Sequence, residues 1–182
     1  MSSEPLQEPQ PQQPAIITHW DVLLAEHIAS LKPLEIPDFS IYTTGALFSY
    51  IETEVRYYSI DVNSSRIIKE AMGPVVLNRI RRLIIEDIDA NIGEILDLSR
   101  IYGFTRTGIV FNPSFDGVQH IFSTEELRES IINFYTADEN LIPFDKFAPM
   151  IGYITLYQRR LDEKAARERR EAKLKTNNPP EA

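Results

Sequence analysis

Hydrophobic residues between positions 75 and 102 recur at the spacing of an α-helix, and this is the most strongly patterned stretch of the chain. At 100° per residue, the apolar side chains cover about 220° of the helical circumference. A helix so nearly surrounded by apolar residues is expected to pack on several sides. The pattern therefore predicts a long central helix over 75–102. Its apolar residues are Leu77, Ile80, Leu83, Ile84, Ile85, Ile88, Ile92, Ile95, Leu96 and Leu98.

Two earlier segments also carry helical signals. Apolar residues that follow Thr18 recur on one helical face until Pro33, which is expected to end this first helix. Either Thr43 or Thr44 can cap a second helix that runs to about Tyr58. Because the residues around its end alternate between polar and apolar, a short strand is the alternative there.

Two further boundaries are marked by residues with known capping roles. Gly73 and Pro74 are expected to interrupt the chain just before the central helix, with Pro74 in its first turn. Ser123 and Glu126 form the pattern of a capping box, in which each side chain accepts a hydrogen bond from the other residue's backbone amide. A helix is therefore predicted to begin directly after Ser123.

A turn-rich joint at 113–117 separates two short apolar runs, 108–112 and 118–122. This arrangement is typical of a β-hairpin. The predicted fold class is therefore α+β, mainly α. We expect a helical domain around the central helix, one small β-hairpin over about 108–122, and a projecting C-terminal helix.

The last helix carries one seam of residues at alternating spacings of four and three, the repeat of a coiled coil. Up to Leu161 the seam residues are large, and beyond it they are Ala and Glu. Opposite charges four residues apart, from Glu163 to Lys175, support a helix in water. We expect a continuous helix over 147–175, about 43 Å long. The seam consists of Phe147, Ile151, Ile154, Gln158, Leu161, Ala165, Glu168 and Ala172.

Composition divides the chain into four regions. Residues 1–14 are almost wholly Ser, Glu, Gln and Pro, and are expected to form a disordered N-terminal arm. Residues 15–160 are expected to form a single globular domain, since the chain is 43% hydrophobic and 25% charged. Residues 161–176 form the charged helical extension, and 177–182 a disordered tail.

The charge of the chain is unevenly distributed. The net charge is −8 over 182 residues, but residues 159–175 hold eight basic and four acidic side chains, a net of +4 that leaves −12 elsewhere. Three hypotheses fit this last helix: a solvated extension that frays, a helix docked on a partner protein, and an arm that contacts nucleic acid. Interleaved acids weaken the third hypothesis, because they dilute the positive field that phosphates require.

Signatures of familiar enzymes are absent from the sequence, which contains no P-loop, no GxGxxG, no GxSxG and no HExxH. No catalytic residue and no cofactor is predicted. One weak metal candidate is the set Asp87, Asn91 and Glu94, whose oxygens would suit a hard cation on one side of the central helix. The alternative is that this edge is exposed or bonds to a neighbouring loop.

The sequence thus favours a non-enzymatic interaction subunit of a larger protein assembly, in a cell or a virus particle. Partners are expected to be other protein subunits, in a homo- or hetero-oligomer, with nucleic acid possible only through the C-terminal tail. With no cysteine and no apolar run of ~20 residues, an intracellular protein without a membrane role is expected. The alternatives are a nucleic-acid-associated factor and a cation-dependent enzyme. The candidate partner-binding residues are Phe115, Arg159, Leu161, Ala165, Arg169, Arg170 and Ala172.

Overall fold

The computed structural model describes residues 19–30, 34–55, 62–111, 122–137 and 146–178. By contacts, the chain divides into two compact units, Met1–Glu35 and Ile36–Ala182. The described helices are α1 (His19–Ser30), α2 (Thr44–Tyr50), α3 (Val62–Asp87), α4 (Ile92–Thr107), α5 (Thr124–Thr136) and α6 (Phe147–Asn177), with a 3₁₀ turn at Phe39–Ile41 and a π-helical turn at Ile51–Val55.

The first unit contributes α1, which begins one residue after Thr18, where the first helix was predicted to start. Apolar side chains of this helix are exposed, with Trp20 at 77% and Leu24 at 58%. The N-terminal arm predicted over 1–14 lies outside the described residues.

The predicted α+β class is wrong, because the described part of the chain is all-α. The first half of the predicted hairpin is described and is not a strand. Instead, Gly108 ends α4, and the chain folds back so that the Phe111 carbonyl accepts a 2.8 Å hydrogen bond from Arg100 Nε. Phe111, at the end of the described part of this run, therefore lies against its own helix beside Gly103, whereas Ile109 is 55% exposed. The rest of the predicted hairpin, 112–121, lies outside the described residues.

The single central helix predicted over 75–102 is also wrong, since α3 ends at Asp87 and α4 begins at Ile92. The Asp87 carboxylate accepts bonds from the backbone amides of Asp89 and Ala90 at 3.1 and 3.2 Å. Asn91 Nδ2 donates to the Leu83 carbonyl at 3.2 Å, near the end of α3. Short polar side chains that bond to nearby backbone compete with helix propagation, and here they end one helix and begin the next.

Helix α3 starts earlier than predicted and continues through Pro74, which was expected to begin a helix. A proline inside a helix removes one backbone hydrogen bond. Pro74 is exposed, so water can hydrate the carbonyl that loses its donor. The predicted apolar arc is also not buried throughout, because Ile85 is 81% exposed whereas Ile80 is fully buried.

The core of the second unit lies where α3 and α4 pack on each other and α6 packs on α4 and α5; α5 also contacts α3, and α2 contacts α4. Aromatic rings tie α4, α5 and α6 together at one end, with the Phe147 ring centroid 5.6 Å from Tyr102 and 5.4 Å from Phe134. Fully buried side chains include Leu77, Ile80, Ile95, Leu98, Tyr102, Ile131, Tyr135 and Ile154.

Two predicted caps are confirmed. Ser123 Oγ accepts from the Glu126 amide at 3.1 Å and Glu126 Oε2 accepts from the Ser123 amide at 2.6 Å, so α5 begins with a complete capping box. Thr43 Oγ1 accepts from the Ala46 amide at 3.1 Å and caps α2. The residues after α2 form the π-helical turn, so this helix is shorter than the predicted run to Tyr58.

We predict that Gly108→Ala lowers the free energy of unfolding by about 1 kcal/mol, because an L-residue in left-handed backbone costs about 1–2 kcal/mol. Gly108 has φ of +76° and closes α4 by donating to the Phe104 carbonyl at 2.8 Å. Space is not the obstacle, since the nearest atom to an added Cβ would be Lys69 Nζ at 3.6 Å.

The matched control is Gly45→Ala in α2, where an added Cβ would meet nothing within 4 Å. This change should raise stability by about 0.4–1 kcal/mol, since alanine restricts the unfolded chain. Urea titrations of both variants measure the difference. Equal effects at the two positions would contradict the assignment of Gly108 as a helix-ending residue.

Candidate partner-binding surface on the last helix

The first half of α6 is anchored in the core. Phe147, Ile151 and Ile154 are each at most 1% exposed, and Tyr157 is also buried. This half packs against α4 and α5. Pro149 lies in its first turn, where a missing amide hydrogen costs least. The large residues of the predicted seam therefore hold the helix to its own domain.

Beyond Leu161, which is half-buried, the same helix leaves the core. From 162 to 178 every side chain is exposed except Ala165 and Ala166, which are half-buried. We refer to residues 162–177 as the exposed half of α6. At 1.5 Å per residue it is about 24 Å long. The helix was predicted to run to 175 and ends at Asn177.

Helix formation in the exposed half depends on its connection to the buried half. An isolated helix of this length is marginal in water, because the first turn is costly to form. Here the buried half supplies that turn, and Arg159 Nε lies 3.1 Å from Oε1 of Glu163, the first residue of the predicted charge ladder. Such exposed pairs contribute only about 0.3–0.5 kcal/mol each. The exposed half is thus a helix that its own domain supports from one end only.

The predicted partner-binding residues fall on different sides of α6. Leu161, Ala165 and Ala172 follow the seam, so they continue the face that Phe147 begins. Arg169 and Arg170 are exposed and, as neighbours, project about 100° apart. Arg159 is exposed and pairs with Glu163. Phe115 lies outside the described residues.

A cavity of about 480 Å³ lies between α5 and α6, and sequence reasoning missed it. We name it the α5–α6 cavity. Its walls come from the turn between α3 and α4, the first turn of α5, and the middle of α6. The capping box located the start of α5 in the sequence, but no local pattern indicated which part of α6 it meets. The lining residues are Asp89, Thr124, Glu125, Arg128, Tyr157, Arg160, Leu161, Glu163, Lys164 and Arg167.

Two polar contacts fix the walls of this cavity. The Tyr157 hydroxyl donates a hydrogen bond to Asp89 Oδ1, which joins α6 to the turn after α3. Arg160 Nη1 donates to the Phe122 carbonyl, just before α5 begins. Burial raises the pKa of Tyr157 well above its usual value, and the bond to the Asp89 carboxylate raises this pKa further. Both elements that meet α6 here are therefore tied to it by specific bonds.

Replacing Tyr157 by Phe should lower stability at pH 8 by about 0.5–1.5 kcal/mol, the usual net value of one hydrogen bond. The raised pKa also gives the tyrosine a pH signature. Below pH 10 folded and unfolded chains both hold its proton; above pH 10 only the folded chain does, so stability falls by about 1.4 kcal/mol per pH unit. The Tyr157→Phe variant has no phenolic proton and should lack this loss.

Urea titrations of wild type and Y157F between pH 8 and pH 11 measure this signature. Y157F should be less stable than wild type at pH 8. This difference in unfolding free energy should shrink above pH 10 and vanish or reverse near pH 11. A deficit that stays constant over the whole range would show that Tyr157 ionises alike in both states, contrary to its buried position.

The three candidate metal ligands do not share one helical side in the structure. Asp87 ends α3 through its bonds to the backbone, and Asn91 lies in the turn. Glu94, in the first turn of α4, accepts a 3.0 Å bond from the Thr44 hydroxyl. Within the described residues, no group of three His, Cys, Asp or Glu side chains is placed to hold a metal ion.

Comparison with known proteins returns no match, whether to a family model, a curated protein or a solved structure. No helix in the described ranges is both long and apolar enough to cross a membrane.

Proposed function

We propose that this chain is a non-enzymatic interaction subunit of a larger protein assembly, and that the exposed half of α6 docks onto a partner protein. The observation that carries the proposal is the division of α6 at Leu161. One half is anchored in the core, and the other is exposed around its whole circumference over residues 167–177. A helix supported at one end presents a long, pre-ordered surface, which lowers the entropy lost on binding.

The seam suggests how a partner would approach. In the buried half, α4 and α5 cover the face that contains Ile151 and Ile154. The same face continues through Ala165, Glu168 and Ala172, and the two alanines would let a second helix approach closely on either side of Glu168. A partner helix on this face would extend the packing that the domain begins.

Charge suggests the chemistry of the partner. Residues 159–175 carry +4, while the rest of the chain carries −12. An acidic docking surface on the partner would complement this segment and would speed association. We also propose that the protein acts inside a cell or a virus particle, where a chain without cysteine needs no disulfide.

Nucleic acid is the less favoured partner. Asp162, Glu163, Glu168 and Glu171 alternate with the basic residues of the helix, so phosphates would meet both signs of charge. A cation-dependent enzyme is less favoured as well, since the carboxylates of Asp87 and Glu94 accept bonds from the backbone and from Thr44.

The proposal is tested by comparing two baits in the native source, the full chain and a chain that ends at Leu161. A protein that co-purifies with the full chain in fixed stoichiometry is then purified, and the complex is reconstituted and sized by analytical ultracentrifugation. We expect the full chain to form the complex and the shortened chain to fail. A complex of the same size with the shortened chain would overturn the proposal, and a nucleic acid in place of a protein would favour the alternative.

A further inference from the structure

Basic side chains converge on the α5–α6 cavity from two helices. Arg160, Lys164 and Arg167 follow one face of α6 at spacings of four and three, and Arg128 faces them from α5. Arg160 is held in place by its bond to the Phe122 carbonyl. Lys164 and Arg167 are the first basic residues of the exposed half of α6, so the cavity lies where that half leaves the domain.

Three carboxylates also line the cavity, and each is engaged within the protein. Asp89 accepts the hydrogen bond of the Tyr157 hydroxyl. Glu125 lies 3.9 Å from Arg128. Glu163 Oε1 lies 3.1 Å from Arg159 Nε, and Arg159 is not part of the cavity lining.

The lining therefore carries four positive and three negative charges, a net of +1. A single negative charge would be balanced in the cavity. A doubly charged phosphate would leave the cavity with a net negative charge, which is less favourable. The volume of about 480 Å³ falls within the range of ligand pockets, about 300–1,000 Å³. Leu161 and Tyr157 add apolar surface against which the stem of a side chain can lie.

We infer that the α5–α6 cavity binds a carboxylate side chain of the partner protein, with Lys164 and Arg167 as its main ligands. The inference rests on the proposed function, because the partner must dock along α6 for its carboxylate to reach this point. The cavity would fix the register of docking: the partner helix follows the seam, and its carboxylate enters beside Leu161. Charge-assisted bonds from Lys and Arg to a carboxylate are strong enough to set such a register.

The inference can be tested with a peptide of eight glutamates and a matched peptide of eight glutamines, followed by NMR of the full chain. The glutamate peptide should shift the resonances of Arg128, Lys164 and Arg167, and the glutamine peptide should not. In the double variant K164E/R167E binding should weaken at least about ten-fold, as expected when ligands of one charge are removed. Both residues are exposed, so the fold should be retained.

The double variant R169E/R170E is the matched control, because it makes the same change of charge on the same helix outside the cavity. Its affinity for the peptide should fall by no more than about two-fold through long-range electrostatics. Equal losses in the two double variants would overturn the cavity as a specific site, yet leave docking through α6 intact. The proposed function is tested separately, by whether the chain that ends at Leu161 still forms the complex with the partner protein.

Inorganic phosphate provides the second arm of the experiment. We expect it to bind more weakly than the glutamate peptide. Phosphate that bound as tightly, at the same resonances, would overturn the carboxylate assignment in favour of a phosphorylated ligand. Equal binding of the glutamine peptide would show that charge does not select the ligand, and would overturn the inference as well.

Discussion

Ending the chain after Leu161 should leave the domain folded, whereas ending it after Met150 should unfold it. The first truncation removes side chains that are exposed or, at Ala165 and Ala166, half-buried. Surface changes of this kind are usually within about ±0.5 kcal/mol. The second truncation also removes Ile151, Ile154, Leu156 and Tyr157, which are at most 2% exposed.

The stability lost when the chain ends after Met150 would exceed the total stability of a typical domain. Truncating one large core side chain costs about 2–5 kcal/mol, and total stability is about 5–15 kcal/mol. Circular dichroism during thermal unfolding separates the two outcomes. After the first truncation the melting temperature should lie within about 2–3 °C of that of the full chain, on the order expected for ~0.5 kcal/mol. After the second truncation no cooperative unfolding should be seen. A marked loss of stability from the first truncation would mean that the exposed half of α6 packs on the domain.

Replacing Ile80 by Ala should lower the free energy of unfolding by about 2–5 kcal/mol, while the same change at Ile85 should be almost neutral. Both residues lie on α3 and both were placed in the apolar arc by the sequence. Ile80 is fully buried, and Ile85 is 81% exposed. Alanine also favours a helix more than isoleucine does, which offsets part of any loss at Ile85.

Urea denaturation of the two variants measures this contrast. Since the side chains are identical and five residues apart on one helix, burial is the variable that differs. If the Ile85 variant lost about 2 kcal/mol or more of unfolding free energy, as buried residues do, this would contradict the exposed position of Ile85. It would indicate that another protein molecule covers Ile85 in solution.

Local patterns predicted the helix ends that depend on local chemistry. The capping box at Ser123 and the cap at Thr43 involve residues within three positions of each other, so the sequence contains all the groups needed. The long seam from Phe147 to Ala172 likewise predicted a helix where α6 lies. These sequence patterns are informative because they can be recognised without knowledge of the tertiary contacts.

Periodicity failed where a few polar side chains outweighed it. The apolar spacing continues through Asp87–Asn91, yet Asp87 and Asn91 bond to nearby backbone and break the helix there. The same two residues, taken with Glu94, had suggested a cation site. Similarly, the apolar run after Gly108 resembled a strand, but its end is held against α4 by Arg100.

The α5–α6 cavity could not be predicted from the sequence. Its walls come from residues near 89, 124–128 and 157–167, which no spacing rule relates. Only the packing of α5 on α6 brings Arg128 close to the basic face that holds Lys164. Each wall separately has the polar composition of an ordinary solvated surface.

Amide hydrogen exchange across residues 162–177, measured for the free protein and for its complex with the co-purified partner, tests the central claim most directly. In the free protein these helical amides should exchange faster than those of the buried half of α6, since the exposed half is held from one end only. In the complex they should slow by at least about ten-fold, which corresponds to ~1.4 kcal/mol of added local stability. Unchanged exchange in this segment, with protection elsewhere, would show that the partner binds another surface and would contradict the account.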